Sequence, residues 1–194
     1  MKHSIIVAHP NPGSFTMTIA KAYARAAEAR GHSANLRDLY AMDFDPCLKA
    51  SEIPGPKGFA PANDVRAERT ALKGTDVFVF VYPFWVNAPP AILKGYIDRV
   101  FGMGFAYAPG KDGIQPLLSG HKMISFTSSG APMEWVRKTG AWDAERKLFD
   151  EHVAMVTGLN VMDHIHFGDI IPGIRADVVE RHVQAVNNAV AKYF

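Results

Sequence analysis

The stretch Asp76-Val77-Phe78-Val79-Phe80-Val81-Tyr82 decides the fold. Between Asp76 and Tyr82 every side chain is apolar, and three of the five are β-branched. Side chains of a strand alternate between its two faces, so a strand apolar at every position must be covered on both. That is the signature of a parallel sheet held between two layers of helix.

Working outward, residues 5–8 and 122–127 read as further buried strands, and 161–167 as a fourth. Residues 33–39 are half polar and suit the edge of the sheet. Helical patterns fill the gaps, over 15–30, 63–73, 91–101, 141–156 and 176–191. Gly31 and Gly74 stand where helices stop. Strand and helix alternate five times, which predicts an α/β doubly wound, five-stranded parallel sheet with right-handed crossovers, in three α/β/α layers. One stretch, 41–62, resists the alternation because it carries Pro46, Pro54, Pro56 and Pro61. A structureless loop of roughly 20 residues is uncommon in a compact domain. We read it as an excursion after the second strand that packs on a neighbouring surface. No linker or repeat interrupts the chain, so residues 1–194 form one domain.

Composition narrows the function. The 194 residues are 48% hydrophobic and 21% charged, an ordinary globular balance. The net charge of +2 is scattered along the chain, which argues against nucleic acid as a partner. No apolar run reaches the ~18 residues of a membrane span. Cys47 is the only cysteine, which excludes an intrachain disulfide and suits the reducing cytoplasm.

In open α/β sheets, ligands bind beyond the carboxyl ends of the strands. After the first strand, His9-Pro10-Asn11-Pro12-Gly13-Ser14-Phe15-Thr16 ends in an N-cap serine, and the helix start offers free N–H groups to an anion. The same loop reads equally as a capped turn without a ligand. After the third strand, Pro83, Phe84, Trp85 and Val86 form a stiff aromatic wall for a planar heterocycle, or a plug over the sheet. After the fourth, Thr127, Ser128, Ser129 and Gly130 bring hydroxyls and close backbone donors, or a plain polar loop. Together the three loops describe a phosphate site, a ring wall and a donor edge, the anatomy of a flavin site.

Other signals are weaker. His164 and His166 face one side of a strand, but no third ligand is evident and we assign no metal. Glu145, Asp150 and Glu151 share a helix with Arg146 and Lys147 and read as a solvated face. No nucleophile–base pair marks a hydrolase, and one-electron flavodoxin carriers are usually acidic, unlike this chain.

Four stretches carry a family resemblance. They are Ile6-Val7-Ala8-His9-Pro10 with Ser14-Phe15-Thr16, the run from Asp38 through Tyr40 and Phe44 to Pro46, Pro83-Phe84-Trp85 with Ala88-Pro89-Pro90-Ala91-Ile92-Leu93-Lys94-Gly95, and Asp98-Arg99-Val100-Phe101 with Gly104-Phe105-Ala106-Tyr107. On these residues the chain resembles the NAD(P)H:quinone oxidoreductases of the flavodoxin-like fold, a group that includes mammalian quinone reductase and the ancillary flavoprotein of bacterial potassium efflux systems. The resemblance implies a homodimer with one flavin per subunit at the interface, with FAD favoured over FMN. It implies that His9, Ser14, Phe15 and Thr16 hold the phosphates, that Pro83 to Val86 line the isoalloxazine, and that Thr127 to Gly130 meet its polar edge. Tyr107 matches an aromatic given to the partner's pocket, and the excursion is where the family makes dimer contacts.

The chain departs from the family after the fourth strand. Mammalian-type members carry a tyrosine and a histidine there that aid charge transfer. The stretch from Met133 to Trp142 has neither, and Trp135 is its first aromatic. Charge stabilisation then comes from backbone donors, from Arg137 or Lys138, or is not needed. The expectation is an NAD(P)H dehydrogenase that passes hydride through flavin to a quinone-like acceptor by ping-pong kinetics, with Tyr107 and Trp135 as candidate catalytic residues. The alternative is a regulatory flavoprotein docking on a membrane transporter.

Overall fold

The computed structural model describes residues 1–55, 58–111 and 113–194. Pro56, one of the excursion's prolines, lies outside the described residues. Along the chain run β1 (Lys2–Val7), α1 (Phe15–Glu28), β2 (Ser33–Asp38), α2 (Asn63–Ala71), β3 (Val77–Pro83) and α3 (Ala91–Val100). Then follow β4 (Tyr107–Gly110), β5 (Gly113–Pro116), β6 (Lys122–Ser128), α4 (Met133–Lys138), α5 (Ala141–Glu145), α6 (His152–Thr157), β7 (Asn160–Phe167) and α7 (Ala176–Tyr193).

Five strands pair in parallel in the order β2-β1-β3-β6-β7. The half-polar β2 is at an edge, as its sequence predicts. β3 is the middle strand, and all seven of its residues are buried. Its odd-numbered side chains Val77, Val79 and Val81 pack in one core with Ile5, Val7, Ile19, Tyr23, Val186 and Val190, from β1, α1 and α7. Phe78, Phe80 and Tyr82 pack in the other core with Ile6, Val65, Leu93, Tyr96 and Val100, from β1, α2 and α3. The chain is therefore a flavodoxin-like three-layer α/β/α sandwich. All five carboxyl strand ends lie on one rim, and the order reverses between β1 and β3.

One expectation changes, and two features go beyond the sequence reading. The predicted helix over 141–156 is interrupted by a π-helical turn at Arg146–Glu151. That wide turn buries Phe149 and Asp150, so the solvated face expected of Glu145 and Asp150 is corrected: they are 4% and 1% exposed. Burial follows from hydrogen bonds that offset it: the Tyr82 hydroxyl donates to Glu145 (2.7 Å), and Asp150 faces His164. Second, β4 and β5 form an antiparallel hairpin that no apolar alternation announces. Third, the excursion is anchored by polar contacts.

That anchor is Arg99 of α3, whose side chain is fully buried. Its Nε and Nη2 each donate to Glu52 at 2.9 Å, and its guanidinium also grips Asp64 (2.7 and 2.9 Å) and the carbonyl of Asp45. Glu52 in turn accepts N–H bonds from Lys49 (2.9 Å) and Ala62 (3.1 Å), tying both limbs of the excursion together. Beside this knot the chain at Pro46 passes so close to Gly95 that a Cβ there would lie 2.2 Å from the Pro46 carbonyl oxygen. Only glycine permits that approach.

Arg99→Met would leave Glu52 charged and buried without its partner. The expected loss is about 3–5 kcal/mol, read as a lower urea midpoint; an unchanged midpoint would show that the excursion is held by other contacts.

Candidate functional site

β1 delivers the chain to the rim through Ala8, whose N–H donates to Val81 (3.1 Å), the last in-register bond before the turn. His9 then turns back, and its Nδ1 accepts the N–H of Asn11 at 3.0 Å. The remaining ring proton is thereby placed on Nε2, as a donor. Burial lowers the His9 pKa, so the ring stays neutral. The Asn11 side chain caps the N–H of Gly13 (2.8 Å). Ser14 is the N-cap of α1, its Oγ accepting the N–H of Met17 at 3.1 Å. That leaves its own hydroxyl proton unspent. Among the described residues, the N–H groups of Phe15 and Thr16 have no acceptor within the chain. The first turn of α1 thus presents two free amides, a hydroxyl, a neutral imidazole donor and the positive end of a 14-residue helix.

β3 ends at Pro83, and the Phe84 N–H continues the pairing by donating to the Ser128 carbonyl at 2.7 Å. The next four residues form a tight turn. Trp85 and Ala88 exchange backbone hydrogen bonds of 3.1 and 3.2 Å, with Val86 at φ 54° and Asn87 at φ 56°. The left-handed region is natural for Asn87 but costly for β-branched Val86. Val86 is also 100% exposed, so packing offers no compensation. The turn holds the Trp85 ring 5.6 Å from that of His9, joining the first and third strand ends.

The loops after β6 and β7 are zipped together. Ser129 N–H donates to Phe167 (3.0 Å), Ile170 N–H to Ser129 (2.9 Å) and Asp169 N–H to Ala131 (3.1 Å). Gly168 is needed for this: a Cβ there would lie 2.6 Å from the Met133 nitrogen.

These loops enclose a cleft of about 400 Å³. It is lined by His9, Asn11, Ser14, Phe15, Thr16, Pro83, Phe84, Trp85, Ser128, Ser129, Gly130 and residues 170–174. Ten of the residues singled out in the sequence thus meet in one place. Four do not line this cleft. Val86 points to solvent at the tip of its turn. Thr127 is 1% exposed, and its hydroxyl is taken up by His164 and His166. Trp135 lies half exposed on α4, and Tyr107 lies on the β4–β5 hairpin, among Phe101, Asp98 and His152. Sequence reasoning missed Asn11 and the loop 170–174, although Gly168-Asp169 and Pro172-Gly173 punctuate the end of a strand. A larger hollow of about 640 Å³ lies in the excursion, against Ile53, Pro54 and Phe59, and shares no lining residue with the cleft.

Comparison with known proteins agrees with this geometry. The family described as having a flavodoxin-like fold matches over residues 1–192. An uncharacterized NAD(P)H oxidoreductase of Haemophilus influenzae is 32% identical over 171 residues, covering 88% of this chain and 85% of that protein. NAD(P)H dehydrogenase [quinone] 1 of Cavia porcellus is 34% identical over 120 residues, which is 53% of this chain and 44% of that enzyme. Among solved structures, an NAD(P)H:quinone oxidoreductase from Methanothermobacter marburgensis superposes with a TM-score of 0.83 at 26% identity, over 98% of this chain and 97% of that one. The chain belongs to this flavodoxin-like family of NAD(P)H oxidoreductases and quinone reductases. Among the described residues, no helix is long and apolar enough to cross a membrane.

The strained turn at Val86 and two histidines of depressed pKa each give a prediction. Val86→Asn relieves the left-handed strain without losing a contact and should stabilise the fold by about 1 kcal/mol; a lower thermal midpoint would contradict the strain. The second concerns pH. Burial, then the neighbouring His164, lowers His166 from 6.5 to about 4, and burial, then His32, does the same to His3. Unfolded histidines take up protons below about pH 6.5, whereas these two stay neutral in the fold down to about 4. Protons therefore favour unfolding, and stability should fall as pH drops from about 6.5 to about 4. The double variant His3→Gln, His166→Gln should flatten that slope in urea titrations at several pH values.

Proposed function

We propose that the cleft holds a flavin and that the protein reduces a quinone-like planar acceptor with electrons from NAD(P)H. The observation that carries this reading is the convergence of three strand-end loops of different chemistry on one cleft. The first turn of α1 fits a phosphate: free amides of Phe15 and Thr16, the Ser14 hydroxyl and the His9 Nε2–H all donate, and none brings a formal charge. Pro83, Phe84 and Trp85 supply a flat apolar wall. Ser128, Ser129 and Gly130 supply the polar edge facing it.

A flavin bound here would supply two-electron redox chemistry between NAD(P)H and a planar acceptor. The chain's own residues bind the phosphate, hold the ring against the wall and offer hydrogen bonds where negative charge develops. One cleft that admits the nicotinamide and the acceptor in turn implies ping-pong kinetics, seen as parallel lines in double-reciprocal plots. Names of relatives support the substrate classes, since several are quinone dehydrogenases. An azoreductase from Bacillus anthracis with the same fold was solved with FMN, at 17% identity and a TM-score of 0.73. The family resemblance favours FAD, and FMN is the alternative. A homodimer is part of the proposal, with Tyr107 reaching the partner's pocket; exposed Trp85, Trp135 and Ile171 near the rim support an apolar contact there. The single cysteine supports a cytoplasmic location. The transporter-docking reading draws no support from the fold or from these relatives.

The test is the absorbance spectrum of the purified chain, followed by mass analysis of the released chromophore. The expected result is a flavin spectrum, with the mass deciding between FAD and FMN. A colourless protein that takes up neither flavin would end the proposal.

A further inference from the structure

Beneath the cleft wall runs an unbroken line of hydrogen bonds, buried at its Asp150–His164 end and part-buried where it reaches the cleft. Asp150 Oδ2 meets His164 Nδ1 at 2.7 Å, and His164 Nε2 meets the Thr127 hydroxyl at 2.8 Å. The same hydroxyl meets His166 Nδ1 at 2.9 Å, and His166 Nε2 meets the Ser129 hydroxyl at 2.9 Å. Ser129 lines the cleft, and its Oγ also lies 2.8 Å from the Ala131 carbonyl. All four imidazole nitrogens are engaged within the chain. The order Asp150–His164–Thr127 is that of a nucleophile triad. Thr127 is 1% exposed, however, so no substrate carbonyl reaches it.

Counting protons leaves two arrangements that satisfy the line, with Asp150 as acceptor, each hydroxyl holding one proton and His166 kept neutral by burial. In the first, His164 is neutral with its proton on Nδ1. Thr127 then donates to His164 Nε2, His166 donates from Nδ1 to Thr127, and Ser129 donates to His166 Nε2. In the second, His164 carries both protons and donates from Nε2 to Thr127. Thr127 then donates to His166 Nδ1, His166 donates from Nε2 to Ser129, and Ser129 donates to the Ala131 carbonyl. The two differ by one proton, held on His164 against Asp150. They also differ in the tautomer of His166, which stays neutral in both.

We propose that this line is a proton relay, in which the Asp150–His164 pair stores one proton and Thr127, His166 and Ser129 deliver it to the cleft. Its use rests on reading the cleft as a redox site. Reduction of a quinone by NAD(P)H breaks one C–H bond of the nicotinamide and forms two O–H bonds on the acceptor. The hydride brings both electrons and one hydrogen, so one further proton must be supplied. On delivery, Ser129 gives its proton to the basic atom in the cleft and receives one from His166 Nε2. His166 Nδ1 takes the Thr127 proton, and Thr127 takes the one on His164 Nε2. Each oxygen gains a proton as it loses one, so no alkoxide accumulates, and the line ends in the first arrangement. Asp150, His164, Thr127 and His166 are positioning residues; only Ser129 meets the bound molecule.

The surroundings suit the task. The Trp142 ring meets His164 edge-on with centroids 4.8 Å apart, and the Phe84 ring centroid lies 4.6 Å from that of His166, which covers the line with apolar surface. Among the described residues, the ionisable groups facing the pair are Glu145 from α5, Tyr82 from β3 and His166 from β7. Burial raises the Glu145 pKa, and the Tyr82 hydroxyl donates to that carboxyl. Asp150 is therefore the acid that His164 contacts directly.

The test is long-range proton–nitrogen NMR of the histidine rings in the full-length chain, with and without saturating FMN, over a pH titration. As His164 loses its second proton, His166 should switch from the Nε2–H to the Nδ1–H tautomer at the same pH while never becoming charged. Thr127→Val should abolish the His166 switch while His164 still titrates, and Thr127→Ser should restore it. On quinone reduction, Thr127→Val should lower kcat about 100-fold with KM for NAD(P)H unchanged, and should remove the pH dependence that follows His164. A His166 that keeps one tautomer throughout, or that switches unchanged in Thr127→Val, overturns the relay. If Thr127→Val does not fold, the wild-type titration alone decides. A chain that switches but binds no flavin would keep the relay and defeat only the redox reading of the cleft.

Discussion

The structure depends on β3 having no face that tolerates water. Because Val77 to Pro83 are buried throughout, helices must cover the sheet on both sides. Covering both sides forces crossover connections and so a parallel sheet. A parallel sheet puts every carboxyl strand end on one rim. The loops after β1, β3, β6 and β7 therefore meet because one strand is apolar at consecutive positions. The cleft's lining residues lie as far apart in sequence as His9 and Ile174, yet none is more than one loop from that rim.

The layers and the edge position of β2 were legible in the sequence because apolar periodicity records burial directly. The rim loops were legible for a second reason, since proline, glycine and small hydroxyl residues mark the points where strands end. Polar burial was not legible. Glu145 and Asp150 have the spacing and neighbours of a solvated helix face, yet Glu145 is buried at the end of α5 and the widened turn at 146–151 buries Asp150. Thr127 looks like one more hydroxyl of the donor loop, but strand alternation directs it away from the cleft toward His164 and His166. Pro109 and the glycines of the β4–β5 hairpin hide any strand signal.

Charge is handled in two ways inside this molecule. At Arg99 a full cation is buried and answered by Glu52 and Asp64, which fixes the excursion against α3. Such a knot gives shape, since its net contribution to stability is small beside the cost of breaking it. At the cleft, by contrast, the lining offers neutral donors: amides, hydroxyls and an imidazole whose pKa burial lowers. Neutral donors can bind an anion without adding a formal charge to the cleft.

The central claim is that separate strand-end loops grip one planar, phosphate-bearing molecule together. The most direct measurement is an amide chemical-shift map of the labelled chain as FMN is added. The account predicts saturating shifts that appear together at Phe15 and Thr16, at Phe84 and Trp85, and at Ser129 and Gly130. Shifts confined to one loop, or scattered over surfaces remote from the rim, would contradict it.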